Sequence, residues 1–263
     1  MQNEQLLRMR RTKRTQLIVF LVLLLALCAW SAAGTGFSGS ALLGGVGDGA
    51  RFLFGDLLPP DASSFPGLLQ PALDTIYMSF VAMFIGSIIA GFLSIFAAAT
   101  TSPHPSIAIG LRAFSALFRN IPVIIWTILL VASFGLGNLV GTLSLVIVSV
   151  GMLVRCYAES LEEIDMGQVE ALRAAGASYW QVIGQAVLPQ FLPSFVGWSL
   201  FNLEINVRAS TIVGMVGGGG LGFAIQSGIK LFQYKEVSMA VLMVLAIVLA
   251  TEFLTNRIRE RII

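Results

Sequence analysis

Five polar residues interrupt an otherwise apolar run near position 205: Asn202, Glu204, Asn206, Arg208 and Ser210. Glu204 and Arg208 are four apart with the glutamate first, the favourable order for an ion pair along one helix. A guanidinium also presents a planar fork of donors that can make two parallel hydrogen bonds to one oxyanion group. A second set of charges, Glu159, Glu162, Glu163, Asp165, Glu170 and Arg173, lies between two long apolar runs. Catalytic motifs are missing. No Gly-x-x-x-x-Gly-Lys-Ser/Thr run occurs, so the chain has no ATP-binding loop of that type. His104 is the single histidine, set between prolines, and alone it is assigned neither metal nor acid–base work. Cys28 and Cys156 sit in apolar stretches and make no disulfide framework.

The elements that must position these residues follow from composition. Of 263 residues, 56% are hydrophobic and 11% charged, against roughly 25% charged in soluble domains. So little charge cannot clothe a water-soluble protein of this size. High hydrophobicity with low charge excludes disorder, and a net charge of +2 is no nucleic-acid footprint. The solvent for most of the chain is lipid.

Charge-free runs locate the spans, each needing about 20 apolar residues. They are Leu17 to Ala33, Thr75 to Ala99, two within Asn120 to Val154 around the turn Gly135-Leu136-Gly137-Asn138, one from Leu192, and Val237 to about Leu254. Basic residues, the apolar stretch from Leu17 to Trp30 and the small residues that follow imitate a secretory signal peptide. The stretch is at or beyond the long end for one, so an uncleaved first span is expected. Ala209 to Ile229 is also uncharged but holds Gly214, Gly217, Gly218, Gly219, Gly220, Gly222 and Gly228, each costing about 1 kcal/mol relative to alanine in a helix. The positive-inside rule puts the tail with Arg8, Arg10, Arg11, Lys13 and Arg14 in the cytoplasm. Six spans also place Arg257, Arg259 and Arg261 there, whereas a seventh would put them outside.

The expected fold is therefore an all-α membrane protein with six transmembrane helices and both termini cytoplasmic. A basic tail covers 1–15, the first span 16–34, an outer loop 35–70 with an interfacial helix around 49–58, and a five-helix core 71–263. An outer glycine-rich segment, 213–235, is either a gate built on Gly217, Gly218, Gly219 and Gly220 or close-packed re-entrant backbone. Arg119-Asn120-Ile121-Pro122 opens the third span, with Arg119 read as an anchor at the cytoplasmic interface rather than a substrate ligand.

The cytoplasmic loop 158–189 carries the densest pattern. Asp165 and Gln168 have capping-box spacing, starting a helix that stops at Gly176. Ser178 caps a second helix that Leu188-Pro189 ends. Two short helices hinged at glycine, rich in small alanines, form a docking element for a partner protein.

Glu170-Ala171, Gly176 and Leu188-Pro189 resemble the EAA loop of ABC-importer permeases, although Leu172 replaces the family's second alanine and Ala186 its usual isoleucine. Leu58-Pro59-Pro60-Asp61, Glu163-Ile164-Asp165, Arg173-Ala174-Ala175-Gly176-Ala177, Val187-Leu188-Pro189-Gln190 and Glu204 to Ser210, leading into the glycine block, resemble the phosphonate-importer branch. The resemblance implies a type I ABC-importer permease fold, with Glu170, Ala171, Arg173, Ala174, Gly176 and Ala177 contacting a cytoplasmic ATPase. It implies no cofactor on this chain, with ATP and Mg on the partner ATPase. The implied partners are a second copy, two ATPases, an external binding protein, a phosphonate or related oxyanion, and the bilayer.

On that reading Asn202, Glu204, Asn206, Arg208 and Ser210 line the anion's route; the other reading is a self-neutralising Glu204–Arg208 pair that holds the helix in its bundle. Rival functions are a permease for methionine or an osmolyte, and an ATPase-independent membrane channel or enzyme.

Overall fold

The computed structural model describes residues 2–262, with side chains described for 13–261 apart from Ala41. Met1, Ile263 and the side chains of Arg8, Arg10 and Arg11 in the basic tail lie outside the described residues. Among the described residues there is no strand, and the chain divides into two units, 1–56 and 57–263.

In the first unit, α1 (Gln2–Thr35) contains the apolar span Lys13–Thr35. Its side chains from Leu17 to Leu25 are all exposed within the unit, as expected of a helix whose solvent is hydrocarbon. α2 (Gly39–Arg51) follows and leads into a wide π-type turn at Phe52. The expected outer loop is thus helical well before position 49. Leu42, Leu43 and Val46 recur at the helical spacing of three and four, which outweighs the glycines around them.

The second unit begins with α3 (Phe65–Ala97), ten residues before the span expected at Thr75. Pro71 lies inside this helix and does not bound it; apolar helices tolerate proline where neighbours re-satisfy the freed backbone. Ahead of α3, Asp61 accepts bonds from the Ser63 N–H and hydroxyl, which hold its carboxyl below the usual range.

α3 shows how the bundle divides its large and small residues. Ile76, Phe80, Phe84, Ile88 and Phe92 recur every four residues on an exposed stripe, while Ser79, Ala82, Gly86, Ala90 and Ser94 are buried. Large apolar residues face out and small ones face in. In lipid, helices associate through close packing of small residues and interhelical hydrogen bonds rather than by expelling water.

α4 (Pro105–Asn120) and α5 (Val123–Phe134) meet at 83°. The break is Ile121-Pro122: a residue before proline is pushed out of the helical region, and Ile121 is extended. Pro122 is therefore the N-cap of α5 and not part of its first turn. The third span expected from Asn120 is a helix of only 12 residues, about 18 Å long at 1.5 Å per residue.

α6 (Asn138–Glu162) packs along α3 and α9 (Leu188–Val213). Between α6 and α9 lie α7 (Met166–Ala174), α8 (Tyr179–Val182) and a π turn, Ile183–Val187, that runs straight into α9. Leu188-Pro189 consequently does not end a helix. The widened turn absorbs a proline that would otherwise clash with the preceding turn. α9 ends in a second π turn, Gly214–Gly218, then bends by 54° into α10 (Gly220–Lys230); α11 (Tyr234–Ile262) completes the chain.

Among the described residues four helices are long and apolar enough to span a membrane alone, and up to six spans result if each bent pair counts as one. One apolar cluster joins α3 and α6 to α7, α8 and the start of α9 through Val169, Val182, Ile183, Val187 and Phe191. A second joins α3, α10 and α11 at the opposite end through Leu68, Leu221, Ile225 and Val237. The two ends of the bundle are called below the α7 end and the glycine end.

Candidate functional site

The α7 end carries the two short helices expected to dock a partner. Asp165 is the N-cap of α7, accepting from the Gly167 N–H at 2.9 Å. The return bond expected from Gln168 comes instead from Gln190 of α9, whose Oε1 accepts from the Asp165 N–H at 2.9 Å. The cap is thereby tied to a membrane helix, not only to its own turn. At the other end Gly176 has φ +84°, with Gly176 N–H bonded to Arg173 O and Ala177 N–H to Leu172 O, both 3.0 Å. That paired arrangement is the Schellman closure, which needs a left-handed residue at the position of Gly176. Ser178 and Gln181 form a complete capping box on α8.

Val169 is buried under α7 and Leu172 half-buried, whereas Glu170, Ala171, Arg173, Ala174 and Gly176 are exposed and Ala177 is half-buried. Among the described residues Glu170 has no ion-pair partner. The element presents one glutamate and a strip of small side chains outward while its underside is plugged into the bundle. Tyr179 anchors the same end, its hydroxyl donating to Thr101 O at 2.9 Å.

The five polar residues of α9 do not converge on one surface. Asn202, Asn206 and Ser210 fall four apart and are buried. Asn206 Nδ2 donates to Ser149 Oγ of α6 and to Asn202 Oδ1, both at 3.0 Å, and Ser210 donates to Val207 O. All three are satisfied within the bundle; Asn206 and Asn202 reach α6, through Ser149 and Met152, while Ser210 bonds back to its own helix. Glu204 is buried on another side, toward α11, where Thr255 Oγ1 and Arg259 Nη2 donate to its Oε1. Arg208 stands 3.8 Å from Oε2 with 54% of its side chain exposed. The pair along α9 is therefore present but loose, and the closer partner is Arg259, expected only as a cytoplasmic terminal charge. Arg259 also borders a recess with Ser194, Gly197 and Trp198, in the first turns of α9. The end of α11 thus lies toward the α7 end.

Arg119 packs against α6: a Cβ added to Gly151 would lie 3.0 Å from Arg119 N, one turn before Arg155, the first of the charged residues that end α6. Its fork-bearing neighbours Arg112 and Arg155, and the partners Ser149 and Thr255, were not singled out from sequence, and Gln190 stood out only as the end of a motif. Ser149, isolated in the apolar run 145–154, was the legible signal among them.

At the glycine end, Gly217 (φ +107°) accepts from the Gly137 N–H at 2.9 Å, and Gly214, Gly217, Gly218 and Gly220 are buried while Gly219 is partly so. Side chains at Gly218 would strike Val213 and the Gly141 backbone. The run is packed backbone against the start of α6. A cavity of about 330 Å³ lined by Asp74, Asn138, Gly217, Gly219 and Phe223 adjoins it. Among the described residues no group of three His, Cys, Asp or Glu side chains could hold a metal ion.

Residues 90–263 match the model of the family described as binding-protein-dependent transport system inner membrane component. The chain is 38% identical over 208 residues to the phosphite transport system permease protein PtxC of Stutzerimonas stutzeri, covering 79% of this chain and 76% of that protein. It is 36% identical over 212 residues to the phosphate-import permease protein PhnE of Mycolicibacterium smegmatis, covering 80% of this chain and 40% of that longer protein. Its fold is similar to that in inward-facing structures of the MetNI methionine ABC transporter, with TM-score 0.66 at 24% identity, over 77% of this chain and 99% of that one. The exposed small-residue element on a bundle of apolar helices, the family match over two-thirds of the chain and the relatives lead to one assignment. The chain belongs to the binding-protein-dependent transport system inner membrane component family and is the multi-pass permease subunit of an ABC importer, a transport component and not an enzyme.

Proposed function

We propose that this permease moves a phosphorus oxyanion (phosphonate, phosphite or phosphate) inward by alternating access. The observation that carries the reading is Arg208. Its side chain is 54% exposed within an apolar helix, two residues beyond Asn206, whose partner Ser149 lies next to the midpoint of α6. A charge at that depth costs roughly 2.5–3.5 kcal/mol against lipid, so it faces protein or a water-filled cavity. A guanidinium there suits a tetrahedral oxyanion. The names of the phosphite and phosphate relatives support the same substrate class.

In this reading two copies enclose the pathway, and the α7 end is cytoplasmic. Each α7 sits on one of two ATPases, which hold the ATP and Mg, and an external binding protein delivers substrate at the glycine end. Glu170, Ala171, Arg173, Ala174, Gly176 and Ala177 form the contact that closure of the ATPases would push together. Asn202 and Asn206 hold α9 against α6 as it tilts, and Gly217, Gly218, Gly219 and Gly220 let packed backbone part at the outer mouth.

The test is reconstitution with the ATPase and binding protein. ATP hydrolysis and uptake should be stimulated by phosphonates, phosphite or phosphate and not by methionine. Stimulation by methionine alone would replace the substrate assignment. Uptake of the oxyanion by Arg208→Ala at the wild-type rate would end the role given to that arginine.

A further inference from the structure

A cavity of about 220 Å³ opens between α4 and α6, lined by Arg112, Ser115, Arg119, Arg155 and Glu159, with the small side chains of Ala116 and Ala158 making room. The three arginines differ in how far they are already satisfied. Arg112 is committed: its Nε donates to Ala97 O at 2.8 Å and its Nη2 to Glu162. Arg155 donates to Glu159 Oε1 only through Nε, at 2.7 Å. Among the described residues its two terminal nitrogens have no hydrogen-bond partner, and Arg119 has no carboxylate within ion-pair distance. Ser115 is turned away, its hydroxyl donating to Gly151 O.

The pair that occupies Arg155 is also the weaker kind. Arginine precedes glutamate by four residues, the less favourable order along a helix, and both side chains are about half exposed. Arg119 lies level with the middle of α6, Arg155 one turn nearer the α7 end and Glu159 one turn further. Two open guanidinium groups are thus followed by a carboxylate, in that order, toward the α7 end.

We propose that this cleft is an oxyanion site in which Arg119 and the terminal nitrogens of Arg155 hold a phosphate-type group, and Glu159 competes for Arg155 to release it. The inference rests on the oxyanion reading above and adds a station on the inner half of the path. Two bidentate donors supply the planar recognition such a group needs. A site emptied by an adjacent carboxylate avoids the trap of binding too tightly to let go. The same chemistry would accept the headgroup phosphate of an anionic lipid, so the experiment must separate the two sources.

The assembled permease–ATPase complex is placed in phosphatidylcholine nanodiscs, with and without phosphatidylglycerol. Binding of methylphosphonate is followed by phosphorus NMR, and retained phosphatidylglycerol by mass spectrometry. Arg119→Ala, Arg155→Ala and the fold-preserving Arg155→Lys should each weaken methylphosphonate binding, by about tenfold for the alanine variants. Glu159→Gln should tighten it and slow uptake. If the variants lose phosphatidylglycerol and methylphosphonate does not bind, the site stands with the lipid headgroup as its ligand. If neither ligand responds to the double variant Arg119→Ala/Arg155→Ala, the proposal is overturned. Wild-type oxyanion uptake alongside that null result would leave the transport reading intact, whereas methionine-only transport with headgroup binding would sink the transport reading alone.

Discussion

Glu204 on α9 takes its closer charged contact from Arg259 on α11, at 3.1 Å, and not from Arg208 one turn along its own helix, at 3.8 Å. The carboxylate is 7% exposed, so it needs a cation, and Arg259 together with the Thr255 hydroxyl meets that need. Arg208 is left with most of its hydrogen-bonding fork open. The structural contact falls to Arg259, and the proposed transport role to Arg208.

That division can be measured. Arg259→Ala should destabilise the subunit by about 1–2 kcal/mol, less than the loss of a fully buried pair because Arg259 is itself a third exposed. Arg208→Ala should cost under about 0.5 kcal/mol while lowering oxyanion uptake. Denaturant unfolding in detergent micelles gives both values. Equal losses from the two variants would mean that Arg208 is the structural partner after all.

Gly176 closes α7 in the left-handed region, and nothing lies within 4 Å of a Cβ built there. Any penalty for substitution is therefore conformational and not steric. Gly176→Ala should cost about 1 kcal/mol locally, and Gly176→Asn less, because asparagine tolerates that region. ATPase activity stimulated by substrate should follow the same ranking, with Gly176→Val worst. A ranking by side-chain volume instead would place the ATPase surface directly against residue 176.

The helical class, the two ends of the α7 element and the polar break in α9 were all legible from periodicity, capping residues and charge. What escaped was whatever depends on two segments distant in sequence. Asp165 gave the cap, but Gln190 supplies its second bond from a different helix. Arg119 packs on Gly151 of α6, a contact 32 residues away that no local pattern records. The polar residues of α9 read equally as one lining or as a Glu204–Arg208 pair, because helical spacing alone does not say which neighbour each face meets. Asn206 meets Ser149 and Glu204 meets Thr255, so the row splits into two structural contacts and one open charge.

Asn206 is a sharp test of that split. It is 3% exposed and bonded to both Ser149 and Asn202. Asn206→Ala should destabilise by about 0.6 kcal/mol and by no more than about 1.7 kcal/mol, the average and maximum for interhelical polar contacts in a membrane protein. Ser149→Ala should be partly redundant with it in a double-mutant cycle. If Asn206 were instead a wall of the conduit, the variant would shift substrate preference with unchanged stability.

At the glycine end α6 lies against the backbone of the π turn. A methyl group at Gly141 of α6 would strike the carbonyl of Gly218 and approach Met78 within 2.9 Å, while one at Gly110 of α4 meets nothing within 4 Å. The carbonyl belongs to the packed π turn and cannot swing aside like a flexible side chain. Gly141→Ala should therefore destabilise by about 1–3 kcal/mol through overpacking. Gly110→Ala should stabilise, by up to about 1 kcal/mol, through helix propensity. The same methyl group would hold α6 away from the turn that α9 leads into. If those helices separate at this end during transport, Gly141→Ala should also raise the ATPase rate measured without binding protein, since the closed contact would be weakened. A destabilised variant whose basal ATPase rate is unchanged would assign the glycine run to packing alone.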